Sequence, residues 1–317
     1  MTRPAKLLKA LATPRLRGVA SASAYSKKNK IAYLIILPTV ILSSIFVVVP
    51  IVQTLWISFT NQVLAGGQTH KTHYIGLKNY KGLAHDSHFL NSFKLTLIYA
   101  VLNIIFSVGA GLVTALIVNK KFKGRGIVRG ILTMPWAFPD VASAIIFVWI
   151  LNAAFGVIGF FNQWLPFNTS GGWLTSSPLA FISVIGMSMW KTFPFYSIVF
   201  LSALQGVPED LVEAATVDGA SWFQRFKTVV FPAIRPTFIL LCVLAFIFAF
   251  RQFSMIYLTT GGGPDESTQT LTISVFLTAF KFFDSAVASA TGVFGLVVTA
   301  GVAVIFLYFQ HKQDKEA

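Results

Sequence analysis

The chain has 317 residues, 55% of them apolar and only 11% charged, with a formal net charge of +14 and a mean hydropathy of +0.71. A soluble domain carries roughly 25% charged residues, so polar side chains are too few here to cover a water-facing surface. That excludes an ordinary soluble enzyme, a disordered tail and a coiled coil, and leaves an integral membrane protein. The single cysteine, Cys242 in an apolar run, excludes a disulfide framework or a cysteine-ligated metal cluster.

In chain order, residues 1–30 form a basic N-terminal segment with eight Lys or Arg and no acid. It has the composition of an organellar transit peptide. The preferred reading is an inside-facing anchor, with Ala5 to Ala12 lying along anionic lipid. No convincing cleavage site follows the first apolar run, which is itself long enough to span. Crossing about 30 Å of hydrocarbon takes roughly 20 apolar residues as helix, and six stretches qualify. They run from about Ile31 to Trp56 (within a first transmembrane unit, 31–60), Leu95 to Val118, and Ile131 to Leu151 with only Asp140 charged. Then come Pro178 to Leu204 with Lys191 inside, Phe238 to Leu258 with Arg251 inside, and Ala286 to Phe309. The expected architecture is all-α and polytopic: an external loop at 61–92, a core at 93–310 and a tail at 311–317. Prolines at 38, 50, 135, 139 and 194 are tolerable where neighbouring helices or water re-satisfy the backbone.

Orientation follows from basic residues near the span ends. The N-terminus, the loop after the second span (Lys120, Lys121, Lys123, Arg125, Arg129), the segment between the fourth and fifth spans (Arg225, Lys227, Arg235) and the C-terminus (Lys312, Lys315) hold most of the 25 Lys and Arg. The other side holds about five: Lys71, Lys78, Lys81, Lys94 and Lys281. Both termini are therefore expected in the cytoplasm. The positive charge is topology, and no nucleic-acid partner is implied. On the external side His70, His73, His85, His88 and Asp86 have metal-like spacing, but histidines in a polar loop are usually solvated, and no metal site is expected. The apolar stretch Phe155 to Leu165 reads as an interfacial helix, with contact to a solute receptor as a further option.

The informative loop is Gly206 to Pro236. It carries Glu209, Asp210, Glu213 and Asp218 on a side otherwise rich in base. Pro208 suits a helix start with acids in its first turn. Leu211, Ala214 and Ala215 make a small-residue face, Gly219 stops the helix, and a second helical stretch from Ser221 to Val230 runs into Phe231-Pro232. Two short helices outside the bilayer would offer a surface for a partner.

Glu213-Ala214-Ala215, Asp218-Gly219-Ala220, Phe226, Phe231-Pro232 and Pro236 together resemble the EAA signature of the membrane permeases of ABC importers. Tyr74-Ile75-Gly76-Leu77-Lys78-Asn79-Tyr80 and Leu258-Thr259-Thr260-Gly261-Gly262-Gly263-Pro264 are similar to segments of the maltose-permease-like, sugar-importing branch. The resemblance runs from about Ile31 to the C-terminus. It implies a type I ABC importer permease fold with six transmembrane helices in a bacterial cytoplasmic (inner) membrane. It also implies a multi-pass transport subunit that is not an enzyme, working by alternating access. Implied partners are a second homologous permease, two copies of an ABC ATPase subunit, an extracytoplasmic solute-binding protein, membrane lipid and a carbohydrate. Coupling to the ATPase falls to Glu213, Ala214, Ala215, Asp218 and Gly219. The chain lacks a G-x-x-x-x-G-K-[ST] phosphate loop; it carries no cofactor of its own, and ATP and Mg belong to the partner ATPase. In a bacterial importer the sequon Asn168-Thr169-Ser170 goes unused.

Ionisable residues within spans are costly and functional by default. Lys191 with Trp190 and Thr192, and Arg251 with Phe250 and Gln252, combine aromatic faces with hydrogen-bonding groups, which suits a sugar ring. The resemblance supports these six as substrate pathway. Against this, each cation could snorkel, or pair with Asp140 or a backbone carbonyl. Two cations, with Ser254 where the family more often has Asp, favour an anionic (uronate or phosphorylated) carbohydrate; a neutral oligosaccharide or polyol stays open. An ion-coupled secondary transporter is the alternative. It would need acid or His relays in the spans, where only Asp140 is available. A membrane-embedded enzyme would need a paired carboxylate, a His cluster or a nucleophile–base set within the spans, and none is present. The sequence shows no catalytic residues.

Overall fold

The computed structural model describes residues 33–63, 72–161 and 172–316. The N-terminal basic segment, His70, Lys71 and the Asn168-Thr169-Ser170 sequon lie outside the described residues. Among the described residues the regular elements are helices, and the β pairing is the single Thr60–Tyr74 bridge. The chain separates into two units, Met1–Trp56 and Ile57–Ala317. In the first, helix α1 (Tyr33–Ile57) carries almost wholly exposed apolar side chains along its length.

The second unit begins with a small staple. Asn79, in α2 (Lys78–Leu83), donates from Nδ2 to the carbonyls of Ser58 and Thr60, both at 2.8 Å, and the Tyr80 hydroxyl meets Ser58 Oγ at 2.7 Å. Asp86 then caps α3 (Ser87–Asn119) by accepting from the His88 backbone N–H at 2.9 Å. After a turn at Gly124, α4 (Arg125–Ala137) runs only to Phe138. That residue precedes Pro139 and is extended (φ −68°, ψ 144°), as a residue before proline prefers. Asp140 opens α5 (Asp140–Ile150), its acid in the first turn. The two helices meet at 96°. The single third span expected over Ile131 to Leu151 is therefore broken, and counting α4 and α5 together brings the candidate spans from five to six.

A short helix α6 (Val157–Phe161) lies within the stretch expected to be interfacial; residues 162–165 of that stretch are not described. Helix α7 (Ser177–Gln205) matches the fourth expected span, starts with a proline in its first turn and packs along α3. The approach is close because Gly111 faces it: a Cβ there would come within 2.6 Å of Tyr196 Cβ and 3.1 Å of the Phe193 carbonyl oxygen. Small residues at such crossings let helix backbones touch in a membrane.

Helix α8 (Glu209–Val217) follows, as expected from Pro208. The next stretch departs from expectation. Instead of a separate short helix from Ser221 to Val230, a continuous helix α9 (Trp222–Arg251) starts at a Ser221/Gln224 capping box and runs on through Pro232 and Pro236. A π-helical stretch at Phe226–Val230 lies just before Pro232, the residue that supplies no backbone N–H. The fifth span thus ends at Arg251 and does not continue to Leu258. Gln252 is extended (ψ 115°) and α10 (Ser254–Thr260) starts afresh. Helices α11 (Leu271–Lys281) and α12 (Ser285–Glu316) complete the unit.

Two buried clusters run through it. One gathers Tyr99, Ala144, Met187, Ala249, Phe250, Met255 and Ile273. The other gathers Val108, Tyr196, Phe200, Leu204, Ile234 and Leu241.

Candidate functional site

A cavity of about 480 Å³ draws its wall from both clusters: Tyr99 and Ala249 from the first, Tyr196 from the second. It sits midway along the long helices, since Asn103 is near the middle of α3 and Lys191 near the middle of α7. Both helix breaks reach it, the α4–α5 break through Trp136 and Asp140, and the α9–α10 break through Arg251 and Gln252. Interrupted helices at membrane depth leave backbone polar groups that hydrocarbon cannot satisfy, so they are tolerated where they line a protected or wet cavity. Polar solute sites in transport proteins use that arrangement.

Lys191 is 6% exposed. Its ammonium donates to the carbonyls of Pro135 (3.3 Å), Trp136 (3.0 Å) and Phe138, and stands 3.6 Å from an Asp140 carboxylate oxygen. These are the carbonyls at the end of α4, which have no intrahelical donors left. Lys191 therefore caps the broken helix and holds the start of α5, combining the two alternatives that the sequence left open for it, Asp140 and backbone carbonyls. Arg129 does the same at the end of α3, donating from Nη2 to the Val118 carbonyl at 3.0 Å.

Of the six expected pathway residues, Lys191, Thr192, Arg251 and Gln252 line this one cavity. Trp190 and Phe250 do not. Trp190 meets Phe147 edge-on at 5.2 Å, and Phe250 is buried against Phe246 at 4.7 Å. Adjacent residues on a helix point about 100° apart, so Thr192 can share the wall with Lys191 while Trp190, on its other side, turns away from it. Sequence reasoning missed the rest of the lining. Trp136, Tyr196 and Phe248 form an aromatic side backed by Phe195, which stacks on Trp136 at 5.7 Å. Opposite in character, Tyr99 hydroxyl and Ser188 Oγ are joined at 2.5 Å beside Asn103. Among the described residues the Tyr196 hydroxyl has no hydrogen-bond partner. A polar residue within an otherwise apolar span, such as Asn103 or Ser188, was the available signal.

The 206–236 segment presents a different surface. On α8 Glu213 and Ala214 are exposed and Ala215 is half-buried. Leu211, Val217 (88% exposed), Trp222 and Phe223 are large apolar residues left uncovered. The helix ends in a Schellman turn: Gly219 N–H donates to the Thr216 carbonyl at 3.1 Å, and Ala220 N–H to that of Ala215 at 3.0 Å. Gly219 has φ +78° and open space where a Cβ would sit, so glycine is needed for backbone conformation alone. Asp218 occupies the cap and is exposed.

His85 and His88 are engaged by separate partners. His88 Nδ1 meets Glu266 at 2.7 Å, and His85 Nδ1 lies 2.9 Å from the Lys81 carbonyl. Among the described residues no metal-ligating cluster forms.

Residues 107–315 match the family described as binding-protein-dependent transport system inner membrane component. The trehalose/maltose transport system permease protein MalF of Thermococcus litoralis is 32% identical over 89% of this chain and 94% of its own length. The sn-glycerol-3-phosphate transport system permease protein UgpA of Agrobacterium fabrum is 30% identical over 90% and 96%. Among solved structures, a chain of a bacterial ABC transporter involved in import of the acidic polysaccharide alginate superposes with a TM-score of 0.78. It covers 92% of this chain and 99% of that one; at 24% identity, the fold is what the two share.

Proposed function

This chain belongs to the binding-protein-dependent transport system inner membrane component family, and we propose that it is the membrane subunit of an ATP-driven importer that passes a carbohydrate through the cavity between α3, α7 and α9. The observation that carries the reading is the lining of that cavity. The same cavity is lined by the aromatic residues Trp136, Tyr196 and Phe248 and by the hydroxyl- and amide-bearing residues Tyr99, Asn103, Ser188 and Thr192. A sugar has apolar ring faces and a hydroxyl rim, and each finds its counterpart there. The names of the two relatives, a disaccharide transporter and a polyol phosphate transporter, support the same class.

In this reading α8 lies in the cytoplasm and docks on an ATPase subunit, with Glu213 to Gly219 at the contact. Its uncovered Leu211 and Val217, with Trp222 and Phe223 at the start of α9, support that role, since exposed large apolar groups beside acids mark a partner surface. ATP and Mg act on that subunit. ATP-driven closure of two such subunits moves α8 as a rigid lever and turns the permease pair outward. A loaded solute receptor delivers cargo on the opposite face, and a second homologous permease completes the passage. A gradient-driven carrier is disfavoured: Asp140, the acid of this cavity, is engaged by Lys191.

The test is uptake by proteoliposomes holding the complete importer with its receptor. ATP-dependent accumulation of a labelled saccharide or polyol is expected. Accumulation driven by an ion gradient without ATP would overturn the reading.

A further inference from the structure

We propose that Arg251 is a specificity-determining residue that binds an anionic group, a carboxylate or phosphate, carried by the translocated carbohydrate; this deepens, and rests on, the reading of the cavity as the passage. The cavity holds two cations and one acid. Lys191 is committed to three carbonyls and to Asp140, and Asp140 stands 3.6 Å from it. That pair removes Lys191 as a charge for substrate and removes Asp140 as a counter-ion for Arg251. The Arg251 guanidinium is exposed, lies on the cavity wall, and has no ion-pair or hydrogen-bond partner among the described residues. The net charge of the lining is thus positive, and the uncompensated charge sits on one side chain.

An unpaired cation at a helix break between transmembrane segments is expensive and calls for a partner. Guanidinium is the side chain whose planar fork matches carboxylate and phosphate in two parallel hydrogen bonds. Arg251 is also placed by its backbone. It is the last residue of α9, where Gln252 leaves the helix in an extended conformation, and it lines the cavity at that break. Gln252, the next residue, lines the same cavity and adds an amide beside the guanidinium.

The experiment is direct binding to the complete importer in lipid nanodiscs, without receptor, using matched probes. One pair is trigalacturonate and its methyl ester; the other is glycerol 3-phosphate and glycerol. The anionic member of at least one pair should bind about tenfold or more tightly, the gain expected from a hydrogen bond to a charged group. Its affinity should fall with added salt. Arg251→Gln should erase the preference, and Arg251→Lys should keep part of it. Equal binding within both pairs, or a preference that survives Arg251→Gln, overturns the inference and leaves carbohydrate import standing. No binding by any of the four overturns both. If Arg251→Gln impairs assembly, Arg251→Lys and the wild-type salt dependence decide. Loss of assembly in both variants, with no salt-dependent preference in the wild type, would assign Arg251 to an acid of the partner permease and also overturn it.

Discussion

Lys191 spends its charge on the protein itself. Its ammonium answers the carbonyls that α4 leaves open at Pro139, so the residue fixes a bend where hydrocarbon would otherwise meet bare backbone. Lys191→Met should therefore destabilise the importer by about 3 kcal/mol, because three backbone carbonyls lose their buried donor together and Asp140 loses its counter-ion. A melting temperature in detergent equal to the wild type would remove Lys191 from this role. Asp140→Asn should cost less, about 1 kcal/mol, since its side chain is 45% exposed and the three carbonyls keep their donor. Gly111 is the other position where a single atom decides packing: Gly111→Val should cost about 1–3 kcal/mol by forcing α3 from α7. Lys191 and Arg251 were legible in the sequence as costly charges in apolar runs. Which of them was already paired was not, because the pairing partners are backbone atoms 53 to 56 positions away.

At the scale of elements, α8 is the clearest success of pattern reading. Pro208, the first-turn acids and Gly219 delimit it, and the helix spans Glu209–Val217. Gly219→Ala should lose about 1–2 kcal/mol locally from the left-handed cap, since φ is +78° there. With Glu213→Ala, receptor-stimulated ATP hydrolysis of the reconstituted importer should fall severalfold while the permease still folds. Unchanged stimulation would detach α8 from coupling. The elements that pattern reading misplaced are the broken ones. Ile131 to Leu151 is apolar apart from Asp140 and two hydroxyl residues, and Pro135 and Pro139 both lie in it. Only Pro139 breaks it, because Lys191 stands ready to take the freed carbonyls. Conversely, Pro232 and Pro236 lie within a continuous α9, with a π stretch before them. Arg251-Gln252-Phe253 carries neither Gly nor Pro, and so its break had no local sign.

For the whole molecule, the basic residues predict that the 206–236 segment and the 72–88 segment lie on opposite faces of the membrane. With Cys242 replaced by serine, Lys78→Cys should react with an impermeant maleimide in intact spheroplasts, and Val217→Cys only after lysis. Labelling of both from outside would refute the topology. The sequence by itself determined the class, the number and order of the apolar segments and the surface of α8. Those follow from transfer energies and local caps, which depend on neighbours a few residues away. Tertiary structure alone decided where helices break, that four of the six expected pathway residues line one cavity with Trp136, Tyr196 and Phe248, and that Lys191 is paired while Arg251 has no partner among the described residues. Those outcomes depend on which distant backbone groups come within hydrogen-bonding distance, and apolar periodicity holds no record of that.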